Sequence, residues 1–238
     1  MIDANDPLTA PTARTPRRST SPKVTTPKRG GLAKGKQRSG IKVERVFSDA
    51  KRNPYDEIEW DTRTAEITDE GGKIIFKQED VEVPKNWSQL ATKVVVSKYF
   101  FGQQGTPERE TSVRQLIHRV ARTIADWGVN DGYFSRKDGE VFYEELSWLC
   151  LNQYGAFNSP VWFNVGLHHE YGVGNDSAKG NWYYDDTIGH AKRATSQYEY
   201  PQGSACFIQS VDDDLESILK LAHSEGMLLS LAPAPAPT

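Results

Sequence analysis

Cysteine is scarce in this sequence: Cys150 and Cys206 are its only two among 238 residues. Two thiols in a chain this long make no disulfide framework, so reduced thiols in a cytoplasmic setting are the expectation. No apolar run approaches the roughly 20 residues that a membrane-spanning helix needs, so no membrane is expected among its partners. The N-terminus lacks the apolar stretch of a secretory signal. No CxxC, HxxxH or EF-hand pattern occurs, and the five histidines have no partners at ligand spacing, so no metal site is expected. His168 and His169 are adjacent in "GLHHEYGVG", which reads as a loop. "GVGNDSAKG" is glycine-rich, but it has neither the order nor the strand–helix context of a phosphate-binding loop.

Large apolar side chains are nearly absent from residues 1–42, and such a stretch buries too little surface to offset the entropy of ordering. It is expected to be a disordered tail. The charges are split along the chain. Residues 1–52 carry thirteen Lys and Arg against four Asp and Glu, a net of +9. The remainder carries sixteen against twenty-eight, a net of −12. A basic tail on an acidic body suits nonspecific nucleic-acid contact through residues 1–42, or a solubilising leader with no further role.

Aromatics, in contrast, are plentiful, with six Trp, ten Tyr and nine Phe, enough for a substantial core. "RTAEITDEGGKIIFKQEDVEVP" (63–84) predicts a strand pair turning at Asp-Glu-Gly-Gly. Residues 86–101 read as a helix. A helix over 107–127 is predicted with Thr106 as N-cap and Pro107 at its first position. It buries Val113, Leu116, Ile117, Val120, Ile124 and Trp127, and Gly128 stops it. His118 lies beside that stripe. A further helix is expected over 138–152. The last is expected from Asp212 or Asp213, burying Leu215, Ile218, Leu219 and Ala222. The body is mostly helical with short strands, an α+β chain.

Two short stretches carry chemistry. In "FNSPVWFNVG" (157–166), Asn158 or Ser159 caps a helix that begins at Pro160, leaving backbone N–H groups and a hydroxyl free for a ligand. In "PQGSACFIQSV" (201–211), Cys206 follows Ser204 and Ala205, whose small side chains leave the backbone approachable. By residue type alone, inert packing is the simpler account of Cys206. Cys150, inside "YEELSWLCLNQYG", reads as a core thiol on a helix.

Three stretches together resemble a known family. "FSDAKRNPYDEIEWDTRTAEI" (47–67), "YGAFNSPVWFNVG" (154–166) and "GSACFIQSVDDDLESIL" (203–219) are similar to the N-terminal part of adenosylcobalamin-dependent, class II ribonucleotide reductases. "NWSQLATKVVVSKYF" (86–100) and "EGML" (225–228) fit as well. The resemblance covers about residues 43–228, between the 1–42 tail and a 229–238 Ala/Pro tail outside it. It implies a mostly helical N-terminal region leading into the first strand of a ten-stranded α/β barrel, with "CFIQSV" as that strand.

The resemblance also implies a reaction. Homolysis of the cobalt–carbon bond yields a cysteine thiyl that removes the 3′ hydrogen of a ribonucleotide. The 2′-hydroxyl leaves as water, and two thiols supply the electrons, ending as a disulfide. Cys206 matches the first of those thiols, and Ser159, Ala205 and Cys206 match substrate-contacting positions. The partners implied are a ribonucleotide, leaning toward the diphosphate, and a thioredoxin-type dithiol, with a homodimer left open. The family continues past "EGML" into a glycine-rich stretch and the rest of the barrel, where this chain reads "LSLAPAPAPT". The free 238-residue polypeptide is therefore expected to be catalytically inactive. The competing reading is a non-catalytic paralogue that binds a full-length reductase or nucleic acid.

Overall fold

The computed structural model describes residues 40–174 and 180–231, with the side chains of the last three left undescribed. The tail over 1–42 falls almost wholly outside these residues, as do most of "GVGNDSAKG" and of the Ala/Pro stretch.

After a single 3-10 turn at Pro54–Asp56, β1 (Trp60–Thr68) and β2 (Ile74–Pro84) form an antiparallel pair. The expected turn is present. The Asp69 carboxylate accepts from the N–H groups of Gly71 and Lys73, and Gly72 takes the positive φ that the reversal needs. Ala65, Val81 and Val83 are fully buried on the inner face of this ribbon.

That face packs against α1 (Gln89–Lys98) and α2 (Val113–Asn130), and α3 (Arg136–Leu151) completes the core. The α1 helix is shorter than the expected 86–101. Ser88 caps its start, and Arg109 closes its end by donating to the carbonyls of Val96, Phe100 and Gly102. Val113, Leu116, Ile117 and Val120 are buried as their spacing predicted, while Ile124 and Trp127 are partly so.

The start of α2 differs from the expectation. Ser112, not Thr106, is the N-cap, and the Gln115 side chain reciprocates by accepting from the Ser112 N–H. Residues 106–109 form a turn in which the Thr106 hydroxyl donates to the Gln103 carbonyl. The cause is Glu110, which lies in the core and pairs with Arg119; a regular helix from Pro107 would set these two positions, nine residues apart, on opposite sides of its axis. Gly128 does not stop the helix either. It sits inside α2 because the Phe134 ring occupies the space a Cβ would fill.

Two short helices follow, α4 (Ser159–Asn164) and α5 (Leu167–Tyr171). His168 and His169 therefore lie on a helix rather than in a loop. Gly166, between the two helices, has φ +89°, and a Cβ there would stand 2.5 Å from the Arg119 carbonyl oxygen. A hairpin of β3 (Trp182–Asp185) and β4 (His190–Arg193), which the sequence did not announce, comes next.

Residues 201–212 form neither helix nor strand. The strand expected over 206–211 is thus not formed among the described residues, because an extended segment becomes a strand only beside a partner, and none is described next to it. The last helix, α6 (Leu215–Leu231), exists, but the burial expected for it does not. Leu215, Ile218, Leu219 and Ala222 are exposed. The described part is α+β and mostly helical, and among these residues no helix is long and apolar enough to cross a membrane.

Candidate functional site

The site is built on α4. Asn158 takes the capping role, its side chain accepting from the Val161 N–H, with Pro160 in the first turn. Ser159 is consequently the first residue of the helix rather than its cap. Its hydroxyl lies 3.1 Å from the hydroxyl of Tyr99, the residue that ends α1.

A buried ion pair fixes α4 in place. Arg119 and Glu110 are each 1 % exposed. Arg119 donates to Glu110 through Nε at 2.7 Å. Its remaining nitrogens reach the carbonyls of Trp162 and Val165 at 2.8 Å and of Tyr99 at 3.1 Å. Glu110 in turn accepts from the Phe101 N–H and from the Tyr171 hydroxyl, both at 2.7 Å. Burial, and then the facing Glu110 carboxylate, push the Tyr171 phenol well above its ordinary range. With every partner supplied, the pair is a node that joins α1, α2, α4 and α5.

The stretch leading to Cys206 rests on the same helix. Asn164 Nδ2 donates to the Gln202 carbonyl at 3.0 Å, and Gly203 lies close to the Val161 side chain. The Gln202 side chain accepts from the Ser204 N–H. Ala205 and Cys206 follow directly, both exposed. The structure therefore brings the Ser159 helix and the approach to Cys206 together through Val161 and Asn164, while showing no direct contact between Ser159 and Cys206.

Cys150 occupies the opposite environment. It is buried on α3, and burial pushes its thiol up to about 12. Both cysteines are free.

Two features escaped the sequence reading. An open cleft of about 570 Å³ lies beside residues 200–202, walled by Trp127, Asp131, Asn181 and Trp182. Asn181 holds this wall by donating to the Tyr200 carbonyl, and the Tyr183 and Tyr200 rings stack at 3.6 Å. Its residues come from α2, β3 and the 199–202 segment, a juxtaposition no linear motif announces. The second feature is a group of side chains with metal-ligand chemistry, Asp126, His169 and Glu170, which the separation of α2 and α5 in sequence had hidden.

The described residues thus form a helical platform beside an extended segment that carries an exposed thiol. Residues 61–153 match the family model described as class II vitamin B12-dependent ribonucleotide reductase. The chain is 58% identical over 201 residues to the vitamin B12-dependent ribonucleotide reductase of Rhodopirellula baltica, covering 83% of this chain and 19% of that protein. It is 41% identical over 204 residues to the protein of the same name from Streptomyces avermitilis, covering 85% of this chain and 18% of that one. For the Agrobacterium fabrum protein the identity is 35% over 210 residues, with 74% and 16% covered. The chain belongs to the class II vitamin B12-dependent ribonucleotide reductase family and carries its N-terminal region. It spans about a fifth of the length of these relatives.

Proposed function

We propose that residues 43–228 serve as the N-terminal part of a vitamin B12-dependent ribonucleoside-diphosphate reductase, and that Cys206 is one of the two thiols that reduce the ribonucleotide. The observation that carries this reading is the seating of Gln202 and Gly203 on α4, which leaves Ala205 and Cys206 accessible beside it. In this reading Ser159 and the Ala205 backbone bind the substrate. Cys206 and a second thiol each give up one electron and one proton as they join in a disulfide, and the 2′-hydroxyl departs as water. A thioredoxin-type dithiol then restores both thiols. Cys150 does not serve as the second thiol, because it is buried in the core on α3.

Adenosylcobalamin supplies the radical chemistry when bound. The described residues do not fit it. The cleft of about 570 Å³ has the size of a pocket for a drug-sized ligand and is too small to enclose a corrin with its side arms. In this proposal the cofactor, and the barrel that "CFIQSV" begins, belong to the rest of the whole protein. The 238-residue chain by itself is inactive.

Ribonucleoside-diphosphate reduction, assayed with adenosylcobalamin and a dithiol, tests the reading. A full-length family protein carrying this region should turn over, its Cys206→Ser variant should lose multiple turnover, and the 238-residue chain should show none. Undiminished turnover in Cys206→Ser would remove the role assigned to that thiol. Turnover by the short chain above its own Cys206→Ser control would remove the claim of inactivity.

A further inference from the structure

We infer that Asp126, His169 and Glu170 form a binding site for one divalent transition-metal ion of the zinc class, at the junction of α2 and α5. His169 Nε2 lies 3.1 Å from Asp126 Oδ2 and 3.8 Å from Glu170 Oε1, and the three ligand atoms all fall within 4.8 Å of one another. Ligands bound at about 2.0–2.2 Å around one ion stand roughly 3 to 3.5 Å apart in tetrahedral or octahedral geometry. Glu170 must move inward to complete that spacing.

Asp126 Oδ2 lies within hydrogen-bond reach of Nε2, while Glu170 Oε1, at 3.8 Å, lies beyond it. A divalent cation would engage the lone pairs of all three groups at once. Each carboxylate also has its other oxygen directed to a partner outside the trio. Asp126 Oδ1 lies 3.0 Å from Arg122 Nη2, and Glu170 Oε2 lies 3.7 Å from His118 Nε2. The Tyr143 hydroxyl, 2.7 Å from His118 Nδ1, fixes that ring in turn. Outer partners of this kind orient the inner ligand atoms toward a common point.

The donor set, one imidazole and two carboxylates without a thiolate, suits Zn²⁺, Co²⁺, Mn²⁺ or Fe²⁺ and disfavours Cu(I). All three residues are half-buried, so water can complete the shell. Such an ion would fasten α5 to α2. Tyr171 on α5 donates to Glu110, so the fastening also braces the node that holds α4. This role is structural and stands independently of the reductase reading.

Calorimetric titration of Zn²⁺ into the untagged 238-residue chain, in a Cys206→Ser background, tests the site. One equivalent should bind, and the affinity should fall at least tenfold in His169→Ala and in Asp126→Asn. Co²⁺ should give a d–d absorption without thiolate charge transfer, lost in either variant. Relative to each protein in EDTA, Zn²⁺ should raise the melting temperature of the parent more than that of either variant. Absence of saturable binding overturns the proposal, as does an equivalent that binds unchanged in both variants. Should His169→Ala fail to fold, Asp126→Asn decides the matter in the same assays.

Discussion

Cys206 and Cys150 show how little of a residue's chemistry its identity contains. Both are single cysteines among small or apolar neighbours in the sequence, and composition gave inert packing as the simpler account of each. The structure separates them. Cys150 faces the core from α3, where a thiolate would lie in an apolar surrounding, and its thiol is pushed up to about 12 by burial. Cys206 stands on an exposed segment. Since the thiolate is the reacting form, the two should label very differently. One equivalent of an aromatic disulfide reagent should react fast in native protein at pH 8, and the second only after denaturation. Cys206→Ser should remove the fast equivalent entirely. Two fast equivalents in the wild type would contradict the placement of Cys150. The resemblance identified the redox candidate, but exposure is a property of the fold, and no neighbour in sequence encodes it.

At the scale of elements, the start of α2 is where local rules and tertiary structure part. "GTPERETSV" satisfies the local signs of a helix beginning at Pro107: a Thr cap, a Pro at the first position and two acids in the first turn. Yet "SVRQ" is the capping box that forms, because Glu110 must reach Arg119 from a non-helical backbone. The apolar stripe from Val113 to Val120 was legible because burial repeats with the helical period. The boundary was not, because a pairing nine residues away decides it. The α6 helix errs the other way: its apolar spacing is real, but spacing says nothing about whether a neighbour is present to cover it. With Ser112 as the cap, Ser112→Ala should destabilise the protein by about 1 kcal/mol, more if the half-buried Glu82 partner is disturbed. Thr106→Ala, which removes only a turn contact, should stay within about 0.5 kcal/mol. Urea midpoints of the two variants, compared at equal slope, would reverse this order only if the helix began at Pro107.

At the scale of the whole molecule, the described N-terminal strip is tied to the helical body by Ile41 N–H on the Tyr133 carbonyl, Val43 N–H on Asp138 and the Arg45–Glu144 pair, and most densely by Glu145. Glu145 on α3 is 8 % exposed and accepts from the N–H groups of Val46, Phe47 and Ser48, and from the Ser48 hydroxyl. Phe47 then stacks on Trp148 at 5.2 Å, one turn further along the helix. Burial alone would raise the Glu145 pKa. The Ser48 hydroxyl and the three N–H donors outweigh it, and the carboxyl sits below its ordinary 4.5. A carboxyl lowered in the folded state contributes stability that is fully present above the unfolded value of 4.5. That contribution is lost as pH falls through the lower folded value. Glu145→Gln replaces an acceptor with an amide whose N–H₂ faces donors, at a cost of about 2 kcal/mol near pH 7. Below the folded value the wild-type carboxyl is itself protonated and nearly isosteric with the amide, so the two proteins should converge. Urea unfolding of both, followed from pH 7 down through the acid range, measures this. A gap at neutral pH that closes in acid confirms the carboxylate as the anchor of residues 46–48. No gap at neutral pH would mean that packing by Phe47 and Trp148, not the carboxylate, holds the strip in place.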